Sequence, residues 1–130
     1  MSLIVHTPET IAPPVACYVP GIEVPANARR LFTSGEVGRT PDGKLPEGFV
    51  AQSHQLWKNT IEILKAANMG VEDIVKLVVY APDAANIKYV CDIRTEYMGD
   101  HVPASTFVGN AKLAIPAFEV EMETIAAKVD

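Results

Sequence analysis

Much that would mark a specialised protein is missing from this chain. No apolar run approaches the roughly 20 residues that a membrane-spanning helix needs, and no basic-then-apolar segment opens the sequence. A soluble, cytoplasmic protein with no membrane partner is therefore expected. Basic residues are scarce, with 11 Lys and Arg against 16 Asp and Glu and a formal charge of −5. Nucleic-acid binding rests on clustered cations that neutralise phosphates. Arg29 and Arg30 form the one adjacent basic pair, which reads as a solvated strand entry, so no nucleic-acid partner is expected.

Cysteine is equally sparse. Cys17 and Cys91 lie far apart without a CxxC spacing, and neither signals metal or redox work. His6, His54 and His101 are scattered, whereas a zinc site needs three or four converging ligands. No metal and no cofactor are expected. No Ser-His-Asp or Cys-His order is present, and GRTPDG (38–43) is a turn rather than a phosphate cradle.

What is there is an ordinary globular composition, 48% apolar and 21% charged over 130 residues. That is one domain, 1–130, with enough chain for a core that needs no metal or disulfide staple. Pro8, Pro13, Pro14, Pro20 and Pro25 keep the first part extended, since each fixes φ and removes a donor. Leu31 to Val37 (LFTSGEV) reads as a strand and Pro41-Asp42-Gly43 as a turn.

From Glu47 to Met69 the periodicity turns helical. Val50, Trp57, Ile61 and Leu64 form an apolar row that Leu56, Ile63 and Ala67 widen, while Gln52, Gln55, Lys58, Glu62 and Lys65 face elsewhere. Gly70 is placed to end this helix in the left-handed conformation, and Trp57 reads as core. Ile74 to Tyr80 (IVKLVVY) is a buried strand; Asp83 suits an N-cap; Ile87, Val90, Cys91, Tyr97 and Met98 make a second helical stripe. Thr106 to Leu113 is a weaker strand.

The last strand poses a question of its own. In Phe118 to Thr124 (FEVEMET) the apolar Phe118, Val120 and Met122 alternate with Glu119, Glu121 and Glu123. Side chains alternate across a strand, so three carboxylates share one face about 7 Å apart. Buried together they would cost several kcal/mol or take up protons, so that face meets water, a partner or a ligand. A solvated outer face and a glutamate lining a polar cleft both remain open.

Two helices that each follow strands cover one face of a mixed or mostly antiparallel sheet, giving an α+β sandwich of two layers. The other sheet face then needs a second subunit to bury it.

Several strings together resemble a known family: PPVACYVPG near the start, LFTSGEVGRTPDGKLPEGFVAQSHQLWKNTIEILKAANMGVEDIVKLVVYAPD in the middle, and PAS followed by FEVEMETIAA at the end. With these the chain resembles the RidA/YjgF superfamily of small enamine and imine deaminases, also known as endoribonuclease L-PSP proteins, over nearly its whole length. The resemblance implies a chorismate-mutase-like fold, a mixed sheet with two helices on one face, and a homotrimer with small-molecule clefts between subunits. In deaminating members an arginine after Pro-Ala holds the substrate carboxylate, and a glutamate on the last strand positions the hydrolytic water. By motif that glutamate is Glu121, with Tyr18 lining the cleft and Ser34-Gly35 beside it.

The departures bear on function. Ser105 stands where the arginine is expected, and serine cannot make the bidentate, charge-assisted pair that holds a carboxylate. Cys91 replaces an asparagine of the second helix, and Glu36 replaces a glutamine after Ser-Gly. A branch without the standard 2-aminoacrylate activity, or with another substrate, is expected.

Imine hydrolysis needs an aimed water and a group that shuttles its proton, and a carboxylate in a partly desolvated cleft suits that role. Glu121 is the candidate; Ser105 and Thr106 would bond a polar substrate; Tyr18 and Phe107 would form an aromatic wall unless they serve as plain core or interface. Arg39 would be a replacement cation if it is not simply solvated. The alternatives are a trimeric binding protein without catalysis and, third, a ribonuclease, which the acidic balance disfavours.

Overall fold

In the strand Ile74–Tyr80 the residues Leu77 and Val79 are buried while Lys76, Val78 and Tyr80 are only partly so, the alternation expected of a strand covered on one face. The structure, a computed structural model, describes residues 3–130. Its strands are β1 (Ile4–His6), β2 (Gly21–Glu23), β3 (Arg29–Phe32), β4 (Glu36–Val37), β5 (Ile74–Tyr80), β6 (Ala104–Val108) and β7 (Glu121–Lys128), and its helices are α1 (Phe49–Ala66) and α2 (Ile87–Met98).

β1 and β2 pair as a small antiparallel ribbon, which is where the proline-rich opening puts its extended segments. The main sheet runs β3-β7-β5-β6, with β4 on the same edge of β7 as β3. β5 and β6 are parallel and the other pairs antiparallel, so the sheet is mixed, as expected. A parallel pair needs a long crossover, and α2 supplies it.

Both helices pack on one face. Leu56, Trp57 and Leu64 from α1 and Ile93 and Met98 from α2 meet Leu77, Val79, Met122 and Ala126 from the sheet. Burial of each large aliphatic side chain contributes roughly 1.5–3 kcal/mol, so this layer dominates stability. Trp57 is core, stacked on Tyr97 with centroids 5.6 Å apart.

The opposite face lacks a cover in the single chain. Phe32 is directly across from Ile125 on that face and is 66% exposed, with Val78 and Tyr80 also on it.

Several boundaries and faces differ from the sequence reading. The strand expected over Leu31 to Val37 is broken into β3 and β4, because the Thr33 hydroxyl takes the Thr124 N–H at 2.9 Å where a ladder carbonyl would stand. The last strand begins at Glu121, although Val120 is still buried. The strand expected over Thr106 to Leu113 is Ala104–Val108. α1 ends with Asn68, not Gly70, in the left-handed region: φ is 56° at Asn68 and −125° at Gly70. Asp83 caps a short 3₁₀ turn, Ala84–Asn86, by accepting from the Ala85 N–H, and α2 follows it.

The helix faces are also corrected. Val50 and Ile87 are exposed, and Gln52, read as polar surface, is only 1% exposed. Its amide donates to the Pro46 and Ala117 carbonyls at 3.0 and 3.1 Å and its oxygen accepts from the Glu119 N–H at 2.9 Å. With both donors and its oxygen hydrogen-bonded, the buried amide is satisfied and ties α1 to the segment entering β7.

Candidate functional site

The break between β3 and β4 exposes backbone where β7 begins. β4 pairs with β7 through Glu36 opposite Met122 and Val37 opposite Glu121. This puts the Glu121 carboxylate directly against Gly35: an ideal Cβ at Gly35 would stand 1.9 Å from Glu121 Oε2. Only a residue without a side chain leaves that space.

The neighbouring turn is held by Asn59 of the LWKN string. Its amide donates to the Val37 carbonyl at 3.2 Å, the Arg39 carbonyl at 2.8 Å and Glu36 Oε1 at 3.3 Å. Gly38 packs so closely on the α1 backbone that a Cβ would stand 2.2 Å from the Gln52 carbonyl oxygen. An open hollow of about 500 Å³ results, bordered by Gly35, Glu36, Arg39 and Asn59. Arg39 thus shares a hollow with Gly35.

The three carboxylates of the last strand have three different neighbourhoods. Glu119 precedes β7 and its N–H is taken by Gln52. Glu121 lies on Gly35 and, across the sheet, opposite Tyr80. Glu123 accepts the Tyr80 hydroxyl at 2.6 Å. That bond, then desolvation, then the charges of Glu123 and Glu121 hold the Tyr80 hydroxyl above the ordinary tyrosine range. One face of the strand is therefore neither uniformly solvated nor uniformly buried.

The remaining expected residues gather elsewhere. Tyr18 is half-buried in a loop whose Val19 N–H donates to the Pro103 carbonyl at 3.1 Å, just before β6. Cys91 is not a free group beside it: its sulfur is bonded to Cys17, with the Cα atoms 5.7 Å apart. Their separation in sequence, 74 residues and without a CxxC spacing, gives no sign of a pair, and the fold closes it.

Along β6 the predicted residues divide. Ser105 and Phe107 stand beside the buried Leu77 and Val79 and so belong to the helix-covered face, where Phe107 packs against the core. Thr106 stands beside Val78 on the other face and accepts from Lys76 Nζ at 2.9 Å. Ser34, Gly35 and Glu121 thus meet at one side of the sheet, and Tyr18, Cys91 and Ser105 lie toward the other. β7 and β5 stand between β4 and β6, a separation on the order of 14 Å at the usual strand spacing.

Arg94 of α2 is the residue that periodicity did not single out. It is 5% exposed, and its Nη1 donates to the Cys17 carbonyl at 3.0 Å and lies 3.4 Å from Cys17 Sγ. No carboxylate pairs with it among the described residues, and burial alone pushes its pKa down to about 10, so it stays charged at neutral pH. Its Nε and the Ser53 hydroxyl are buried without partners, beside a cavity of about 20 Å³ between the helices and the sheet.

The three histidines are held apart. His6 pairs with Glu23, His54 Nδ1 meets the Tyr97 hydroxyl at 2.7 Å, and His101 Nε2 meets the Ile74 carbonyl at 2.7 Å. Among the described residues no helix is long and apolar enough to cross a membrane.

A small mixed sheet with both helices on one face is the α+β architecture of Rid family structures. The chain belongs to that family: the family model described as Endoribonuclease L-PSP matches residues 9–128, within the RidA/YjgF superfamily. It is 39% identical over 118 residues to a RutC family protein of Aquifex aeolicus, covering 88% of this chain and 91% of that protein. It is 35% identical over 102 residues to the 2-iminobutanoate/2-iminopropanoate deaminase of Mus musculus, covering 77% of this chain and 75% of that one. Its structure is similar to that of YyfB from Yersinia pestis, described as a conserved Rid family protein of unknown function, with a TM-score of 0.86, 30% identity, and 98% and 100% of the two chains covered.

Proposed function

We propose that this protein is a hydrolytic deaminase of small imines or enamines, acting without a cofactor in a cleft that a second copy completes within a homotrimer. The observation that carries this reading is the Glu121 carboxylate held against Gly35, on a backbone edge open to a hollow. The deaminase names of its mammalian relatives support it.

The chemistry asks little of the protein. Water adds to the carbon of the protonated imine as Glu121 takes one of its protons, giving a neutral carbinolamine. Glu121 returns that proton to nitrogen, the carbinolamine hydroxyl gives up its own proton to Glu121 as the C–N bond breaks, and the departing ammonia takes that proton, so the products are a carbonyl compound and ammonium. An enamine enters by the same route after protonation at carbon. A carboxylate placed to exchange one proton is the group this sequence needs.

The division of the candidate residues supports a shared cleft. Glu121, Ser34 and Gly35 lie at one side of the sheet, and Tyr18, Cys91, Ser105 and Thr106 toward the β6 side, so a neighbouring copy is needed to bring them together. The sheet face bearing the exposed Phe32, together with Val78, Tyr80 and Glu121, is the surface such copies would bury.

Ser105 favours a second reading, a trimeric small-molecule-binding protein without catalysis, because no arginine stands at that position to hold a carboxylate. A ribonuclease activity, suggested by the family description, is disfavoured by a charge of −5.

Ammonia release from enzymatically generated 2-aminoacrylate and 2-aminocrotonate tests the proposal, with the mass in solution measured by light scattering. Release faster than the spontaneous rate from a trimer supports it; a trimer that gives the spontaneous rate supports the binding reading.

A further inference from the structure

Arg94 carries a buried charge that nothing in the proposed deamination uses. Burying an unpaired cation is costly, and proteins that do so usually supply a counter-charge. No carboxylate pairs with it among the described residues; its nearest sulfur is Cys17 Sγ at 3.4 Å. In the disulfide that sulfur is neutral, whereas as a thiolate it is an anion.

We propose that Cys17 and Cys91 form a redox-active pair, a site for thiol–disulfide exchange in which the reduced state places a Cys17 thiolate against the Arg94 guanidinium. The guanidinium then gains its missing counter-ion on reduction. Stabilising the reduced form makes a disulfide easier to reduce, and the better-stabilised thiolate is the better leaving group. Both cysteines are partly exposed, so an external thiol has access.

The exchange is written for an external dithiol as reductant. One of its thiolates attacks Cys91 Sγ, the Cys17–Cys91 bond breaks, and Cys17 leaves as the thiolate beside Arg94. The second thiol of the reductant, as thiolate, attacks the mixed disulfide and releases Cys91, which takes up a proton. Two electrons pass to the protein, and the reductant becomes a cyclic disulfide.

The other charged groups on the meeting elements are exposed or have neighbours of their own. Asp92 and Glu96 of α2 are exposed, Lys88 lies over the Tyr89 ring, His54 faces Tyr97 and Glu96, and His101 faces the Ile74 carbonyl.

The pair also has something to move. Cys17 adjoins Tyr18, and the loop is held by three ties: the disulfide, the Arg94 bond to the Cys17 carbonyl, and the Val19 bond to Pro103. Reduction removes the one covalent tie, so the Val19 amide is expected to exchange its hydrogen faster in the reduced protein.

The test uses the full chain with Cys91→Ser, which leaves Cys17 as the single thiol, and follows its alkylation by iodoacetamide against pH. The inference predicts a Cys17 pKa below the ordinary value of about 8.5. Arg94→Gln should raise it by about one unit, slowing alkylation about tenfold at pH values below both, and Arg94→Lys should restore most of the rate. Identical profiles with and without the guanidinium would overturn the inference. Should Arg94→Gln not fold, a Cys17 pKa at or above the ordinary value in the Arg94 protein overturns it equally. So would failure of the reduced wild type to lose two hydrogens in oxidised glutathione.

Discussion

Glu121 and Gly35 occupy each other's space: the carboxylate lies within 1.9 Å of where a Cβ on Gly35 would be. The obstructed atom is the far end of a flexible side chain, so Gly35→Ala should cost the fold little and should turn Glu121 away from its position. Thermal melting is expected to stay within a few degrees of the wild type, corresponding to about 1 kcal/mol or less. Ammonia release is expected to fall by about 100-fold, the scale of one lost acid–base group. A Gly35→Ala protein that melts normally and retains full activity would show that this contact does not position the carboxylate.

Gln52 should behave in the opposite way, affecting stability first. It bonds two carbonyls and the Glu119 N–H from a buried position. Gln52→Ala leaves those groups without partners and should destabilise by about 2–4 kcal/mol, read from the urea midpoint at unchanged m. A loss below about 0.5 kcal/mol would mean that water replaces the amide freely.

Ser105→Arg tests whether the expected cation was all that the β6 side lacked. If so, kcat/KM for a carboxylate-bearing imine should rise about 10- to 100-fold through KM, the worth of a hydrogen bond to a charged group. No gain, in a protein that still folds, would mean that the cleft is built for a neutral substrate.

Tyr80 gives a pH signature. Its hydroxyl is held above the ordinary range by Glu123 first, then by desolvation and by the nearby carboxylate charges. A raised folded-state pKa contributes stability fully below the unfolded value of about 10, and that contribution is lost as pH climbs through the folded value. Tyr97 is raised as well, chiefly by burial. An ultraviolet phenolate titration should therefore show late-titrating tyrosines, with one lost in Tyr80→Phe and the Tyr80 component shifted down in Glu123→Gln.

Periodicity was enough to read the larger elements. IVKLVVY is the strand Ile74–Tyr80, FVAQSHQLWKNTIEILKA lies within the helix read from its apolar row, and the uncovered sheet face follows from having helices on one side only. Gln52 and Arg94 were not legible, because a hydrophobic pattern assigns polar residues to the surface and cannot see the backbone groups that satisfy them inside. The Cys17–Cys91 bond was hidden for a related reason: sequence spacing says nothing about which loops a fold brings together across 74 residues. Glu121 was singled out by alternation and motif, but its seat on Gly35 depends on the break at Thr33, which LFTSGEV does not announce.

The most direct test of the account compares ammonia release by the wild type and by Glu121→Ala on enzymatically generated 2-aminoacrylate, 2-aminocrotonate and other amino-acid imines. The account predicts acceleration over the spontaneous rate by the wild type and its loss, by about 100-fold or more, in the variant. Equal rates for the two proteins, or no acceleration by the wild type on any of these substrates, would contradict it.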